Sequence, residues 1–580
     1  MFKNKTIHGF TFLLVGVFLW GCAPDKAKEG NAWDSTDKIY SSASITSSKA
    51  SIGASGDIVI VWQEQETQVR NDTVKDAAHT FAGTAAAIDT HANLHAHKLL
   101  YSRTTVNARS YDSSLARWRD TVSLKTGYWE KIKSGTQNIG ETEITYEENI
   151  NNIFIGDLAT AVNNNGDAVV AWVQLGESDV AGDASAAHNL FVYHFNAANN
   201  TWSAASIVTG ELVVQNALDV SLNDSNIAHL VWLGRDKQTL KVNAYQNIFD
   251  GSDWSSTVML SDGQSSVKDI TLVSRNQSSG VAVWSQLDKV NVSGLDVCDQ
   301  TGFNSTPLNL VGNWFNATGW NATPAIISDR TGDVKDFSLA SNGAGSVWVS
   351  WAQTSNANYV CGENLSASQY TVTDVSTIKV SQLTNDIDAD LSSGVWTAAE
   401  NIQTDIASTT VDESLLDSAQ PSTAIDTDGN VVVAWVEVLD AETAPTNRKD
   451  SIIRANTYSD ANGSWLTESF IVSDTARFLA IQPFEKTIPN NHVAPKVVAT
   501  AASRFTISWQ YWSVSAAASG YQLFSVDYDV NTNTSSALKT ISESVSPVVK
   551  QMDVFSVNGN VQMFWSQESD VGTNLNKSIK

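Results

Sequence analysis

Positive charge and cysteine are both scarce in this chain. Its 580 residues hold 36 lysines and arginines against 62 aspartates and glutamates, a formal net charge of -26. Such a surface repels a phosphate backbone instead of releasing counterions from it, which argues against nucleic acid as a partner. Cations, neutral glycans and basic protein surfaces stay open. Charged residues of either sign make up only 17% of the chain and hydrophobic ones 42%, enough apolar material for a large core. Only three cysteines occur: Cys22, Cys298 and Cys361. Beyond the first 21 residues no stretch is long and apolar enough to cross a membrane as a helix. No catalytic signature stands out, and nothing calls for a cofactor.

What the chain does have begins at its N-terminus. Lys3 and Lys5 precede an apolar stretch from Phe10 to Trp20 that ends in Leu19-Trp20-Gly21-Cys22. The stretch is short for a span, and residues 1–21 read as a signal peptide. The segment resembles the lipobox of bacterial lipoproteins, with Trp20 where a small residue is usual. That resemblance implies lipidation of Cys22, with residues 22–31 as a polar tether. Ala23 stands where an aspartate would hold a lipoprotein at the inner membrane, so the expected anchor is the outer membrane, facing either the periplasm or the exterior. The alternative is an ordinary secretory signal with an incidental cysteine.

The rest, residues 32–580, is repetitive. Eight short apolar runs climb to a tryptophan: Trp62, Trp172, Trp232, Trp284, Trp351, Trp435, Trp509 and Trp565. A glycine stands six residues before five of them, as Gly56, Gly166, Gly345, Gly429 and Gly559, and Asn226, Ser278 and Ser503 take its place in the others. One unit can be read in full. Residues 421–426 form a short strand, Thr427-Asp428-Gly429-Asn430 a turn with glycine at the positive-φ position, and residues 431–437 a return strand. The return strand, VVVAWVE, is apolar nearly throughout, so both its faces are buried. A third strand covers 452–458, a second turn 459–464, and a fourth strand opens at Trp465.

Four-stranded units buried on both faces need a neighbour on each side, and radial repetition supplies one. The expected fold is a single all-β propeller of eight four-stranded antiparallel blades, or seven if one unit is degenerate or two are merged. Outer-strand tryptophans recur at Trp33, Trp118, Trp202, Trp254, Trp320, Trp396 and Trp465, interleaved with the first series. The chain opens on an outer strand and ends without one, which predicts closure by pairing of the N- and C-terminal strands. Segments such as FNAANNTWS at 195–203 and YSDANGSWL at 458–466 resemble the sialidase-like and Asp-box propellers. That resemblance implies the fold; no copy has the full Asp-box, and no arginine-isoleucine-proline element is present, so it implies no catalytic residue.

Extra length falls between second and third strands, at 65–98, 175–188, 287–305, 354–376 and 438–450, and between units, at 130–154, 397–419 and 473–494. In an antiparallel unit these connections emerge on one face of the disc, where variable loops on a rigid scaffold favour binding. Trp129, Trp314, Trp348, Tyr511 and Trp512 fall off the repeat pattern and are the candidate ligand-stacking rings, with interblade packing as the alternative use. His91, His95 and His97, beside Asp89, are a weak metal candidate; a polar loop with incidental histidines is the bland reading. Asp426-Thr427-Asp428-Gly429 looks like the start of a calcium loop but coincides with the repeated hairpin turn. Glu64, Gln174, Gln286, Gln353, Glu437 and Gln567, two residues after the tryptophan, are expected to make a scaffold hydrogen bond to the next blade. Carboxylate pairs such as Asp179 with Asp183, or Asp440 with Glu442, sit in loops where solvated acids are normal. Cys298 and Cys361 occupy equivalent loops of adjacent units, and export predicts a disulfide between them.

Together these features predict a monomeric, non-catalytic binding or scaffold lipoprotein that presents its loop face to a protein or glycan partner. The alternative is a glycan-active enzyme, a sialidase-like hydrolase or a lyase, with its site at the central channel.

Overall fold

An apolar strand without alternation must be covered on both faces, and in the computed structural model every repeat tryptophan is buried in that way. The structure describes residues 40–42, 45–73, 96–126, 130–132, 137–139, 142–144, 155–174, 189–207, 212–263, 265–287, 308–330, 332–354, 376–403, 416–440, 449–473, 479–480, 495–514, 519–541, 548–571 and 574–579. Among them the chain is all β, without an α-helix. Eight antiparallel sheets of four or more strands are present, plus one two-stranded hairpin, Gln137–Ile139 with Thr142–Ile144.

Sheets 1 to 8 open with the strands Ile45–Ile52, Ile155–Val162, Leu212–Leu222, Val267–Ser274, Val334–Ser341, Leu416–Ile425, Lys496–Ala501 and Val548–Val557. The tryptophan strands follow as Ile58–Thr73, Ala168–Gln174, Ala228–Asp236, Gly280–Leu287, Val347–Thr354, Val431–Asp440, Arg504–Val514 and Asn560–Val571. The unit read from residues 421–465 is sheet 6, with its strands extended to Leu416, Asp440 and Lys449.

The core is divided among the gaps between sheets. Among the described residues eight clusters of buried side chains occur, and each draws on two consecutive sheets: Val59, Val61 and Val106 with Val170 and Trp172 between sheets 1 and 2, and so on to Phe564 with Ile60 and Trp62 between sheets 8 and 1. Full burial of one such large side chain contributes about 1.5–3 kcal/mol, so each interface rests on several. The outer tryptophans have a different use. Trp118, Trp202, Trp254, Trp320 and Trp465 each pack at a tilt against the aromatic residue at or next to the end of the third strand, Tyr111, Phe195, Phe249, Phe315 and Tyr458, with ring centroids 4.8 to 5.7 Å apart. These pairs pin the short outer hairpins.

The first strands touch in succession from sheet 1 through sheet 8, and that of sheet 8 touches that of sheet 1. They therefore surround a common axis. The eighth sheet is completed from the other end of the chain: its order is Tyr40–Ser42, Asn574–Ile579, Asn560–Val571, Val548–Val557, with Tyr40 opposite Ile579 and Ser42 opposite Lys577. Trp33, where the sequence places this closing strand, lies outside the described residues.

Candidate functional site

The glycine of the repeat belongs to the turn between first and second strands. Gly56, Gly166, Gly345, Gly429 and Gly559 all have positive φ, from 80° to 113°, and Asn226 and Ser503 adopt the same left-handed conformation at φ 64° and 59°. Ser278 does not, and its turn is built differently, with Arg275 N and Asn276 N both donating to Ser279 O. An Asn or Asp opens most of these turns. Asn163 Oδ1 accepts from Asn165 N and Asp167 N, Asn223 Oδ1 from Ser225 N and Ile227 N, and Asn342 Oδ1 from Ala344 N and Ser346 N. The amide nitrogen of the same side chain reaches the next sheet: Asn163 donates to Asn223 O, Asn223 to Gln277 O and Asn342 to Asp426 O. Ala54 N to Asn164 Oδ1, Arg275 Nε to Gly345 O and Ser503 N to Asp426 Oδ2 supply the remaining links. These turns thus form a belt hydrogen-bonded from sheet 1 to sheet 7.

The other end of the first strands carries charge. A β-bulge interrupts seven of the eight first strands just before the residue opposite the repeat tryptophan or beside it. Asp157, Asp269 and Asp336 immediately precede Leu158, Ile270 and Phe337, which pair with Trp172, Trp284 and Trp351. Lys49, Asp219 and Asp553 immediately follow Ser48, Leu218 and Met552, which pair with Trp62, Trp232 and Trp565. Lys496 opens the first strand of sheet 7. A bulge re-aims the side chain beside it, and Asp269 and Gln420 take φ 52° and 53° there.

Several of these groups tie one sheet to the next. Asp219 Oδ2 accepts from Leu272 N at 3.0 Å and from Thr271 Oγ1 at 2.9 Å. Asp553 Oδ2 accepts from Ala50 N at 3.0 Å, and its other oxygen lies 3.4 Å from Lys49 Nζ. Gln420 N donates to Asp336 Oδ2 at 3.2 Å. Ser338 and Ser422 serve the same purpose in sheets 5 and 6, accepting from Thr423 N and Val497 N.

The charges also feel one another around the axis. The low-dielectric walls push the Asp157 carboxyl up to about 6; Lys49 pulls it back, and Asp269 and Asp219 raise it further. Its open side, exposed to solvent, moderates that shift. Burial raises Asp219 against the bonds it accepts, and raises Asp269, with Asp336 adding to the rise. Asp553 holds Lys49 above the usual lysine range, whereas burial, reinforced by Lys49, lowers Lys496. The aspartates at 157, 219, 269 and 336 occupy sheets 2 to 5, while the lysines at 49 and 496 occupy sheets 1 and 7, so the axis is acidic on one side and mixed on the other. Sequence reading passed over all seven residues. The signal was present as Val-Lys-Asp at both 267–269 and 334–336, at the same distance from the repeat tryptophan.

The ring candidates fare unevenly. Trp314 and Trp348 are buried, which removes them from ligand contact. Trp314 Nε1 donates to Leu391 O of sheet 5 at 2.7 Å, and Trp348 packs on Tyr458 and Trp465 of sheet 6; both do the interblade packing that was the other reading. Tyr511 and Trp512 lie in the second strand of sheet 7 opposite Gln522 and Tyr521. His97 pairs with Asp72 in sheet 1. Trp129, His91, His95, Cys22, Cys298 and Cys361 lie outside the described residues, as do Asp179, Asp183 and Glu442. Among the described residues no group of three or more His, Cys, Asp or Glu side chains is arranged to hold a metal ion.

The glutamines after the tryptophan need a correction of partner. Gln286 Oε1 accepts from Trp284 Nε1 and Gln353 Oε1 from Trp351 Nε1, at 2.9 and 2.8 Å. Their amide nitrogens donate to Asp262 and Asp329, in the connection leaving the preceding sheet and not the following one. Asp426 is a turn residue: Oδ1 accepts from Asp428 N and Asn430 N, and Oδ2 from Asn430 Nδ2 and Ser503 N.

No family model and no curated protein matches this chain. Solved structures do resemble it. The polysaccharide lyase Uly1 aligns with 76% of this chain and 93% of its own at 8% identity and a TM-score of 0.41. An ulvan lyase of polysaccharide lyase family PL25 aligns with 72% and 90% at 10% identity and 0.40, and a Hadza microbial sialidase, Hz136, with 72% and 76% at 11% identity and 0.31. Likeness this distant carries no argument about what this chain binds or transforms.

Proposed function

We propose that the eight sheets are the blades of one β-propeller, and that this chain is a non-catalytic binding or scaffold lipoprotein. Cys22 anchors it in the bacterial outer membrane, and its loop face meets a protein or glycan partner. The observation that carries this reading is the contrast between the two faces. The turns on one side are spent on a hydrogen-bonded belt, whereas the insertions all leave from the other. A Cys298–Cys361 disulfide would brace two neighbouring loops on that side.

The test is binding of the purified mature chain to an array of envelope glycans and to envelope proteins. Replacing residues 441–448 by a short turn should weaken binding without lowering stability, and altering Asn558-Gly559 should do the reverse. The opposite pattern would overturn the assignment of the binding face. Cys22→Ser should release the protein from the membrane fraction and abolish labelling by a lipid precursor.

One observation favours a second reading, a glycan-active enzyme working at the axis. A carboxyl raised to about 6 can give and take a proton near neutrality, and Asp157 stands in that state beside other acids. Turnover of a glycan that Asp157→Asn abolishes, with binding retained, would promote this reading over the first.

A further inference from the structure

The eighth sheet differs from the others in how it is held. In sheets 1 to 7 the outer strand follows the third strand along the chain, so a short hairpin keeps it in place. In sheet 8 the outer strand, Tyr40–Ser42, comes from the opposite end of the sequence and pairs with the third strand, Asn574–Ile579. Without a covalent hairpin, each closure of this sheet costs the loop entropy that the others settle during chain folding.

A second observation isolates the same sheet. Among the described residues, side-chain hydrogen bonds join the turns of sheets 1 through 7 in sequence, and none reaches the turn Val557–Asn560 of sheet 8. On the axis the sheet keeps one set of links to sheet 1, from Asp553 to Ala50 N and Lys49.

We infer that sheet 8 is the seam of the ring, opening before any other sheet, and that the strand Tyr40–Ser42 is its latch. Since the latch continues toward the N-terminus, whatever holds the N-terminal segment acts directly on the closure. The inference rests on the ring reading and not on the identity of any ligand.

Hydrogen exchange on the full chain tests it. Amides of Val548–Val557 and Asn560–Val571 should exchange at least about tenfold faster than those of Leu212–Leu222 and Ala228–Asp236, because local opening sets exchange. Ser41 and Ser578 stand directly opposite one another, so the pair Ser41→Cys with Ser578→Cys should form a disulfide. That bond should slow exchange across sheet 8 in the oxidised protein and release it on reduction. Failure of the bond to form would overturn the ring closure itself. A bond that forms but leaves exchange unchanged, or a sheet 8 as slow as sheet 3 without it, would overturn the latch alone.

Discussion

Replacing Asp426 by alanine should cost this protein more stability than any other single change in the turns. The side chain is only 1% exposed and accepts four hydrogen bonds. Asp428 N and Asn430 N reach Oδ1 at 2.9 Å each, and Asn430 Nδ2 and Ser503 N reach Oδ2 at 2.8 and 2.6 Å. Alanine leaves the backbone donors of Asn430 and Ser503 buried without an acceptor, at about 1–3 kcal/mol each, while water can serve Asp428 N. The expected loss is about 3–5 kcal/mol. It falls on two sheets at once, because Ser503 belongs to the turn of sheet 7. Asp428→Ala is the control, since its exposed side chain makes no such contact, and the change should stay within about 0.5 kcal/mol. Chemical denaturation of both variants, compared by midpoint at equal slope, measures the difference. A loss below about 1 kcal/mol for Asp426→Ala, or equal losses for the two, would refute the argument. A melting temperature that rises with added calcium and falls with chelator would refute it differently, by returning this turn to the calcium reading.

Other expectations follow from single contacts. Gly394→Ala would set a Cβ 2.6 Å from Trp314 Cε2 and 2.8 Å from Ile387 Cγ2, both on buried side chains, and should cost about 1–3 kcal/mol by denaturation. Gly343→Asn, at φ 71° with open space around it, should cost less than about 1 kcal/mol. Burial against Phe315, with ring centroids 3.8 Å apart, lowers His229 to about 4. A histidine kept neutral in the fold stabilises it fully above its unfolded pKa near 6.5 and loses that contribution as pH falls toward 4. Stability measured from pH 7 to 4 should therefore drop less in His229→Phe than in the parent, by up to about 3 kcal/mol. Identical acid slopes would show that this ring titrates normally.

The repeat made the scaffold legible for physical reasons. A buried second strand cannot alternate, so VVVAWVE announced two covered faces, and a left-handed turn residue six positions before the tryptophan marked seven of the eight hairpins. Where glycine was missing, Asn226 and Ser503 carried the same conformation at φ 64° and 59°, so seven of the eight tryptophans kept a common register with only five glycines, and the eighth, Trp284, follows the differently built turn at Ser278. The outer tryptophans were equally readable as strand markers, but their partners were not. Cross-strand packing on Tyr111, Phe195, Phe249, Phe315 and Tyr458 depends on hairpin register, which a sequence leaves open until the strands are paired.

The site was harder to see because polar residues in a repeat protein have two employments that look alike in one dimension. Trp314 and Trp348 broke the pattern, which left ligand stacking and packing between sheets both open, and both rings fill a gap between sheets. The aspartates of the first strands kept the pattern and drew no separate reading. Asp219, Asp336 and Asp553 do accept backbone N–H groups from the neighbouring sheet. Yet that employment holds them around the axis, where Asp219 acts on Asp157, Asp336 on Asp269 and Asp553 on Lys49. A carboxylate that stitches the ring also sets the field inside it. Asp219→Asn tests both consequences at once: an amide oxygen can still accept from Leu272 N, so stability should change little, while Asp157 loses a charge that raises its pKa and should titrate lower. Carbon-detected titration of the Asp157 carboxyl reads the second effect apart from the first. An unmoved Asp157 would mean that the axis holds separate charges and not a coupled set.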